Sequence, residues 1–159
     1  MDLITLDFET YYDKDYSLKK LTTEEYVRDP RFEVIGIGVK VNNEETEWAS
    51  GSHDQIKEYL QTFKWGDAMV LAHNTMFDGA ILSWVFDIHP KVYADTLCMS
   101  RAFHGVETSG SLDALATRYN IGVKGAEVVN TLGKKRGEFS KDDLARFGDY
   151  CINDVDLTY

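Results

Sequence analysis

The feature that most restricts the fold is the order of the chain's periodicities: three strand-like runs come first, and only then do helical and strand-like runs alternate. The first run, LITLDFET from Leu3, places Ile4, Leu6 and Phe8 on one face and Thr5, Asp7 and Glu9 on the other. Residues 32–41 (FEVIGIGVKV) and 45–49 read as two further strands, joined by the turn signal Asn42-Asn43. Ile56, Leu60 and Phe63 then recur at helical spacing within 54–63. A short buried strand at 69–72, a helix at 76–86 and a strand at 92–94 follow, with helices near 96–104, 111–119 and 140–158. The polar, aromatic stretch 11–31 reads as a loop holding a short helix near 22–28. A meander followed by helix–strand alternation predicts an α/β domain, a mixed five-stranded sheet flanked by helices. In such sheets sites form beyond the carboxyl ends of central strands, which is where Asp7 and Glu9 fall.

No repeat, low-complexity tract or linker interrupts the 159 residues, so residues 1–159 read as a single domain. Apolar residues make up 43% and aromatics 13%, which excludes a disordered chain. No run is apolar and long enough to span a membrane, and the N-terminus lacks a signal-peptide pattern. Cys98 and Cys151 fall in apolar segments without metal-like spacing, as reduced structural thiols of a cytoplasmic protein do. The net charge of −10 argues against holding nucleic acid through a basic surface. A site that reaches phosphates through bound cations, however, needs acids.

Asp7 and Glu9 sit two residues apart on one strand face, where each disfavours ionisation of the other. Asp78 begins a helix after a buried strand, a position that simple helix capping also explains. Asp95 ends a strand and reads as the cap of the next helix. Near the C-terminus, Ser140 and Asp143 resemble a capping box, and Leu144, Phe147, Cys151 and Val155 form a buried stripe. Tyr150 and Asp154 are four apart beside that stripe, a spacing that ordinary surface neighbours also show. If Asp7, Glu9, Asp78 and Asp154 converge, that much negative charge requires cations. An all-oxygen ligand set favours Mg²⁺ or Mn²⁺ over zinc, and two such ions form the known clamp for in-line attack on a phosphodiester.

These residues resemble a known family. LDFET looks like the first motif of the DEDD, or DnaQ-like, 3′–5′ exonuclease superfamily, whose fold is RNase H-like (ribonuclease H-like). HNTMFDGAIL is similar to the second motif and YCINDVDLTY to the third, while ADTLCMSR and GSLDALATRYNIGVKG resemble the intervening helices. The resemblance implies that Asp7, Glu9 and Asp154 hold one divalent ion, that Asp7 bridges to a second, and that Asp78 supports the second. Tyr150 marks the tyrosine subclass, DEDDy, and with an ordinary pKa near ~10 it is assigned to orienting the attacking water. Thr10 and Asn74 match positions that contact the terminal nucleotide, and Phe77 and His73 are further substrate-side candidates. For Phe77 a core role, and for His73 a local strand-end hydrogen bond, compete with that reading.

The spacing and TEEYVRDPRFEVIGIGV look most like the N-terminal proofreading domain of bacteriophage-type DNA polymerases. Two departures stand out. Tyr11–Lys20 is longer and more polar than the family's first connection, so Tyr11 and Tyr12 are open to local packing or to base stacking. The chain also stops five residues past Asp154, where the family's helix continues, which makes an N-terminal part of a longer polypeptide the expectation. The resemblance thus implies a two-metal 3′–5′ exodeoxyribonuclease, using Mg²⁺ or Mn²⁺, that frees nucleoside 5′-monophosphates from single-stranded or frayed DNA 3′ ends in proofreading. Its expected partners are that DNA and a polymerase domain in the same polypeptide, in the cytoplasm (the host's if phage-encoded), without a membrane. The alternatives are an RNase D-like exoribonuclease and a silent nucleic-acid-binding domain of the same fold. Lys134-Lys135-Arg136, the densest basic run, is a candidate contact for the entering strand's phosphates.

Overall fold

A computed structural model describes residues 1–125 and 131–159. Its strands are β1 (Asp2–Thr10), β2 (Val34–Val41), β3 (Glu47–Ala49), β4 (Ala68–Ala72) and β5 (Val92–Asp95). They form one sheet in the order β3-β2-β1-β4-β5. The β1–β2 and β2–β3 pairs are antiparallel, as the meander predicts, while β4 joins β1 and β5 joins β4 in parallel. The mixed five-stranded sheet expected from the periodicities is the one observed. Asn42 adopts a left-handed φ of 50° in the turn after β2, a conformation asparagine tolerates.

The helices are α1 (Thr23–Arg28), α2 (His53–Leu60), α3 (Thr75–Ala80), α4 (Thr96–His104), α5 (Leu112–Tyr119) and α6 (Lys141–Thr158). Their starts follow local chemistry. Thr22 with Glu25 and Ser52 with Gln55 form capping boxes, and Ser140 accepts from the Asp143 amide at 3.0 Å. Beyond Ala80, α3 continues as a wider π-type turn over Ile81–Val85. Among the described residues no helix is long and apolar enough to cross a membrane.

On one sheet face, Ile4, Leu6 and Phe8 join Ile37, Val39, Val70, Leu82 and Phe86 in the main core. The opposite face of β1 is covered as well: Thr5 there is fully buried. α6 lies over it, and a Cβ on Gly38 of β2 would stand 2.9 Å from Cys151 Sγ and from Val155 Cγ2. Only glycine at 38 admits the helix this closely, and Gly38 is the register partner of Asp7. The absence of one side chain therefore sets how near α6 comes to the acids of β1.

The stretch 11–31 is also more structural than its polarity implies. Tyr16 and Tyr26 are buried, with rings stacked 4.3 Å apart between centroids. Tyr16 donates to the Tyr26 carbonyl at 2.6 Å. Buried phenols need such partners, and here the partners are supplied within the segment itself. Both cysteines are free, as expected; Cys151 is buried, whereas Cys98 is exposed, with its thiol donating to Asp95 at 3.3 Å.

Candidate active site

Asp7 and Glu9 lie toward the carboxyl end of β1, where pairing with β2 slips: Glu9 faces Gly36 and Thr10 faces Val34. Such irregularities re-aim side chains and often border sites. From α6, Cys151 brings its sulfur to 3.7 Å from Asp7 Oδ2 and 3.4 Å from the Asp7 carbonyl. Ligand atoms of Asp7, Glu9 and Cys151 all fall within 4.8 Å of one another.

Asp78 and Asp154 flank this trio. Asp78, almost fully buried in α3, accepts from the Phe8 amide at 3.0 Å and so ties that helix to β1 between the two acids. Asp154, buried in α6, meets Lys124 Nζ at 2.9 Å through Oδ2. Its Oδ1 is buried with no hydrogen-bond partner among the described residues. Tyr150, one turn earlier, has its ring 5.4 Å from Lys124 Nζ.

The electrostatics follow from this crowding. Burial, reinforced by Asp154, pushes Asp7 up to about 7. Burial first, and then the charges of Asp7 and Asp154, hold Glu9 well above the usual carboxylate range. Asp78 is raised in the same way by burial and Asp7. Burial works against the charge on Lys124, but its hydrogen bond and attraction to Asp154 outweigh it, so the ammonium is held protonated. Among the described residues, Lys124 is the cation set against Asp7, Glu9 and Asp154. Burial also raises Tyr150, which keeps its hydroxyl protonated at neutral pH. The buried, unpartnered Asp154 oxygen and the under-neutralised acids fit divalent cations as the missing counter-charge.

Around this centre, Glu9, Thr10, Tyr12, Tyr26 and Phe77 line a cavity of about 530 Å³, with Lys14, Lys19 and Lys20 also on its wall. The Thr10 hydroxyl is engaged with the Tyr26 hydroxyl at 2.9 Å, and the Phe77 ring lies 5.8 Å from that of Tyr26. Asn74 caps α3 in a left-handed conformation (φ 74°), and its amide donates to Asp95 at 3.0 Å. Asp95 also accepts from Leu97 and Cys98 and caps α4 as expected. His73 bonds Thr96 Oγ1 at 2.9 Å, and burial lowers its pKa. Tyr11 stacks on Tyr16 and Tyr12 bonds Thr131, so both have local partners. In the basic run, Lys135 pairs with Glu33 at 3.2 Å and lies over the Tyr11 ring, so it is not a free cation awaiting phosphate.

Sequence reasoning missed Lys124, Cys151 and Tyr26 at this centre. Lys124 had no signal, since a lone lysine in GVKG looks like any other. Cys151 was visible only as part of a buried stripe.

No family model matches the chain, and no curated protein matches it. Among solved structures the chain is similar to Brucella melitensis NrnC, at 14% identity and a TM-score of 0.68, over 98% of this chain and 68% of that one. It is also similar to the family B DNA polymerase from the hyperthermophilic archaeon Pyrobaculum calidifontis: 15% identity, TM-score 0.63, 99% of this chain and 23% of that one. A third is the catalytic core of RRP6 from Trypanosoma brucei: 12% identity, TM-score 0.63, 98% and 38%. The fold is RNase H-like. At these identities the likeness carries the fold alone, and the chemistry rests on the residues.

Proposed function

We propose that the chain is a divalent-metal-dependent 3′–5′ exonuclease of the DEDDy kind. The observation that carries this is the meeting of Asp7, Glu9 and Asp154, with Tyr150 alongside, beside the Lys124 ammonium. Asp7, Glu9 and Asp154 would hold one cation, and Asp7 with Asp78 would support a second. Such ions, when bound, make a coordinated water acidic and neutralise charge on a leaving phosphate oxygen.

The chain's own groups do the rest. Tyr150, held protonated, donates a hydrogen bond that orients the attacking water rather than removing its proton. Lys124 anchors Asp154 and keeps a positive charge beside the reacting phosphate. The cavity beside Glu9 is large enough for a nucleoside, with Phe77 as an apolar wall and Thr10 at its edge. Asn74, whose amide donates to Asp95, is assigned to the substrate by the resemblance alone. His73, bonded to Thr96, supports the strand end instead.

The substrate we propose is a single-stranded or frayed DNA 3′ end, on the resemblance to polymerase proofreading domains and the likeness to a family B DNA polymerase. A ribonucleolytic reading fits the same fold and the same acids equally well. NrnC has been solved with bound Mg²⁺ and bound to pGG, which favours testing short oligonucleotides too. The experiment is to incubate the protein with 5′-labelled single-stranded DNA, 3′-recessed duplex, RNA and a dinucleotide, with Mg²⁺, Mn²⁺ or EDTA. Stepwise shortening from the 3′ end that EDTA stops is expected. No metal-dependent release from any substrate would defeat the enzyme reading, and preference for RNA would replace DNA as substrate.

A further inference from the structure

We propose that Asp7, Glu9 and Cys151 form a binding site for a thiophilic divalent cation of the Zn²⁺ class, with the Cys151 sulfur as a direct ligand. This uses the acidic cage of the proposed exonuclease but does not depend on its being a nuclease.

The geometry points there. In a tetrahedral zinc site, with Zn–S of about 2.3 Å and Zn–O of about 2.0–2.2 Å, the sulfur–oxygen edge is about 3.5 Å. Cys151 Sγ stands 3.7 Å from Asp7 Oδ2. All three ligand atoms lie within 4.8 Å of one another. Asp154 adds an independent sign. It follows Cys151 by three residues on the same helix face, is buried, and leaves Oδ1 without a hydrogen-bond partner among the described residues. A buried carboxylate oxygen without a donor, beside two further acids, is what a cation satisfies.

The sulfur changes which cation that is. Oxygen-only cages suit Mg²⁺ and Mn²⁺, whereas a thiolate favours zinc and its relatives. On binding, the Cys151 S–H bond breaks, the sulfur binds the metal as thiolate, and the proton leaves to solvent. Cys98 cannot substitute, since it lies exposed on α4 against Asp95. Zn²⁺ held by the sulfur would leave Asp7 and Glu9 unable to take Mg²⁺ in the arrangement the proposed hydrolysis needs, so zinc is expected to inhibit Mg²⁺-dependent turnover.

The test is a Co²⁺ titration of the intact protein without nucleic acid, followed by absorption spectroscopy, on wild type, C151S, C151A and C98S. Wild type and C98S should show an intense near-ultraviolet sulfur-to-cobalt charge-transfer band that both Cys151 variants lack. Zn²⁺ affinity, measured by competition with a chromogenic chelator, should fall about tenfold or more in C151S, the scale on which a metal-site group acts. Circular dichroism confirms that each variant is folded, and C151S serves if C151A is not. A wild type without the band, a band that survives in C151S, or unchanged Zn²⁺ affinity would overturn the proposal. Cobalt binding through oxygen alone, seen as weak visible bands, would sink the thiol assignment while leaving the acidic cage intact. No binding at all would remove both.

Discussion

Replacing Asp7 with asparagine should stabilise the metal-free protein at alkaline pH, although it removes a residue proposed to be essential. Asp7 is pushed from its ordinary 3.8 up to about 7 by burial and by Asp154. At about 1.4 kcal/mol per decade of proton affinity, ionising Asp7 in the folded chain costs roughly 4 kcal/mol at pH 8. Relaxation and water entry around a half-buried side chain reduce this, so a gain of about 2–4 kcal/mol is expected for the neutral isostere. The sign runs with the raised pKa. The folded state binds the proton more tightly, so stability is fully present below pH 3.8 and is lost as pH rises toward 7. The advantage of Asp7→Asn should therefore shrink to about half at pH 5.5, still above the sequence pI of about 4.8. The assay is urea unfolding followed by circular dichroism, in chelator, at both pH values. Saturating Mg²⁺ should narrow the gap, since about 100 Kd of ligand stabilises the binding-competent wild type by about 2.7 kcal/mol and the variant by less. An Asp7→Asn protein no more stable than wild type at pH 8 in chelator would refute the reasoning. So would an advantage that does not shrink toward pH 5.5.

Further outcomes are expected. Lys124→Met removes the charge paired with Asp154 and should lower mononucleotide release by about 10–100-fold, with more Mg²⁺ needed for half-maximal rate; single-turnover rates across Mg²⁺ concentrations check it. Tyr150→Phe removes the orienting hydroxyl but keeps the ring; kcat should fall by about 10²-fold with KM little changed in steady-state assays, and an unchanged kcat would remove Tyr150 from the mechanism. Tyr26→Phe deletes the hydroxyl shared with Thr10 and the Tyr11 carbonyl and should cost about 1–3 kcal/mol in urea unfolding; if stability holds, those bonds are not what fixes the end of β1. Gly38→Ala places a methyl 2.9 Å from Cys151 Sγ and should cost about 1–3 kcal/mol and weaken divalent-cation binding by calorimetry, because α6 must back away from Asp7.

Local spacing carried much of the site. Asp7 and Glu9 share a strand face and Tyr150 and Asp154 share a helix face, relations that periods of 2 and 3.6 decide without any tertiary contact. Asp95 as a helix cap was equally legible, because a cap is satisfied by the next few amides. Asp78 was readable only as either cap or ligand; its bond to the Phe8 amide, seventy residues away in sequence, could not be seen from its neighbours.

The sequence by itself determined the elements, the mixed character of the sheet and the carboxyl-end position of the first two acids. These follow from hydrophobic period, turn chemistry and capping, which act over a few residues. Only the tertiary structure decided that the polar face of β1 lies under α6, that Gly38 lets that helix come close, and that Cys151 and Lys124 complete the acidic centre. Those outcomes depend on which surfaces meet across the sheet, and a lone cysteine or lysine in a chain carries no local mark of the carboxylate it will face.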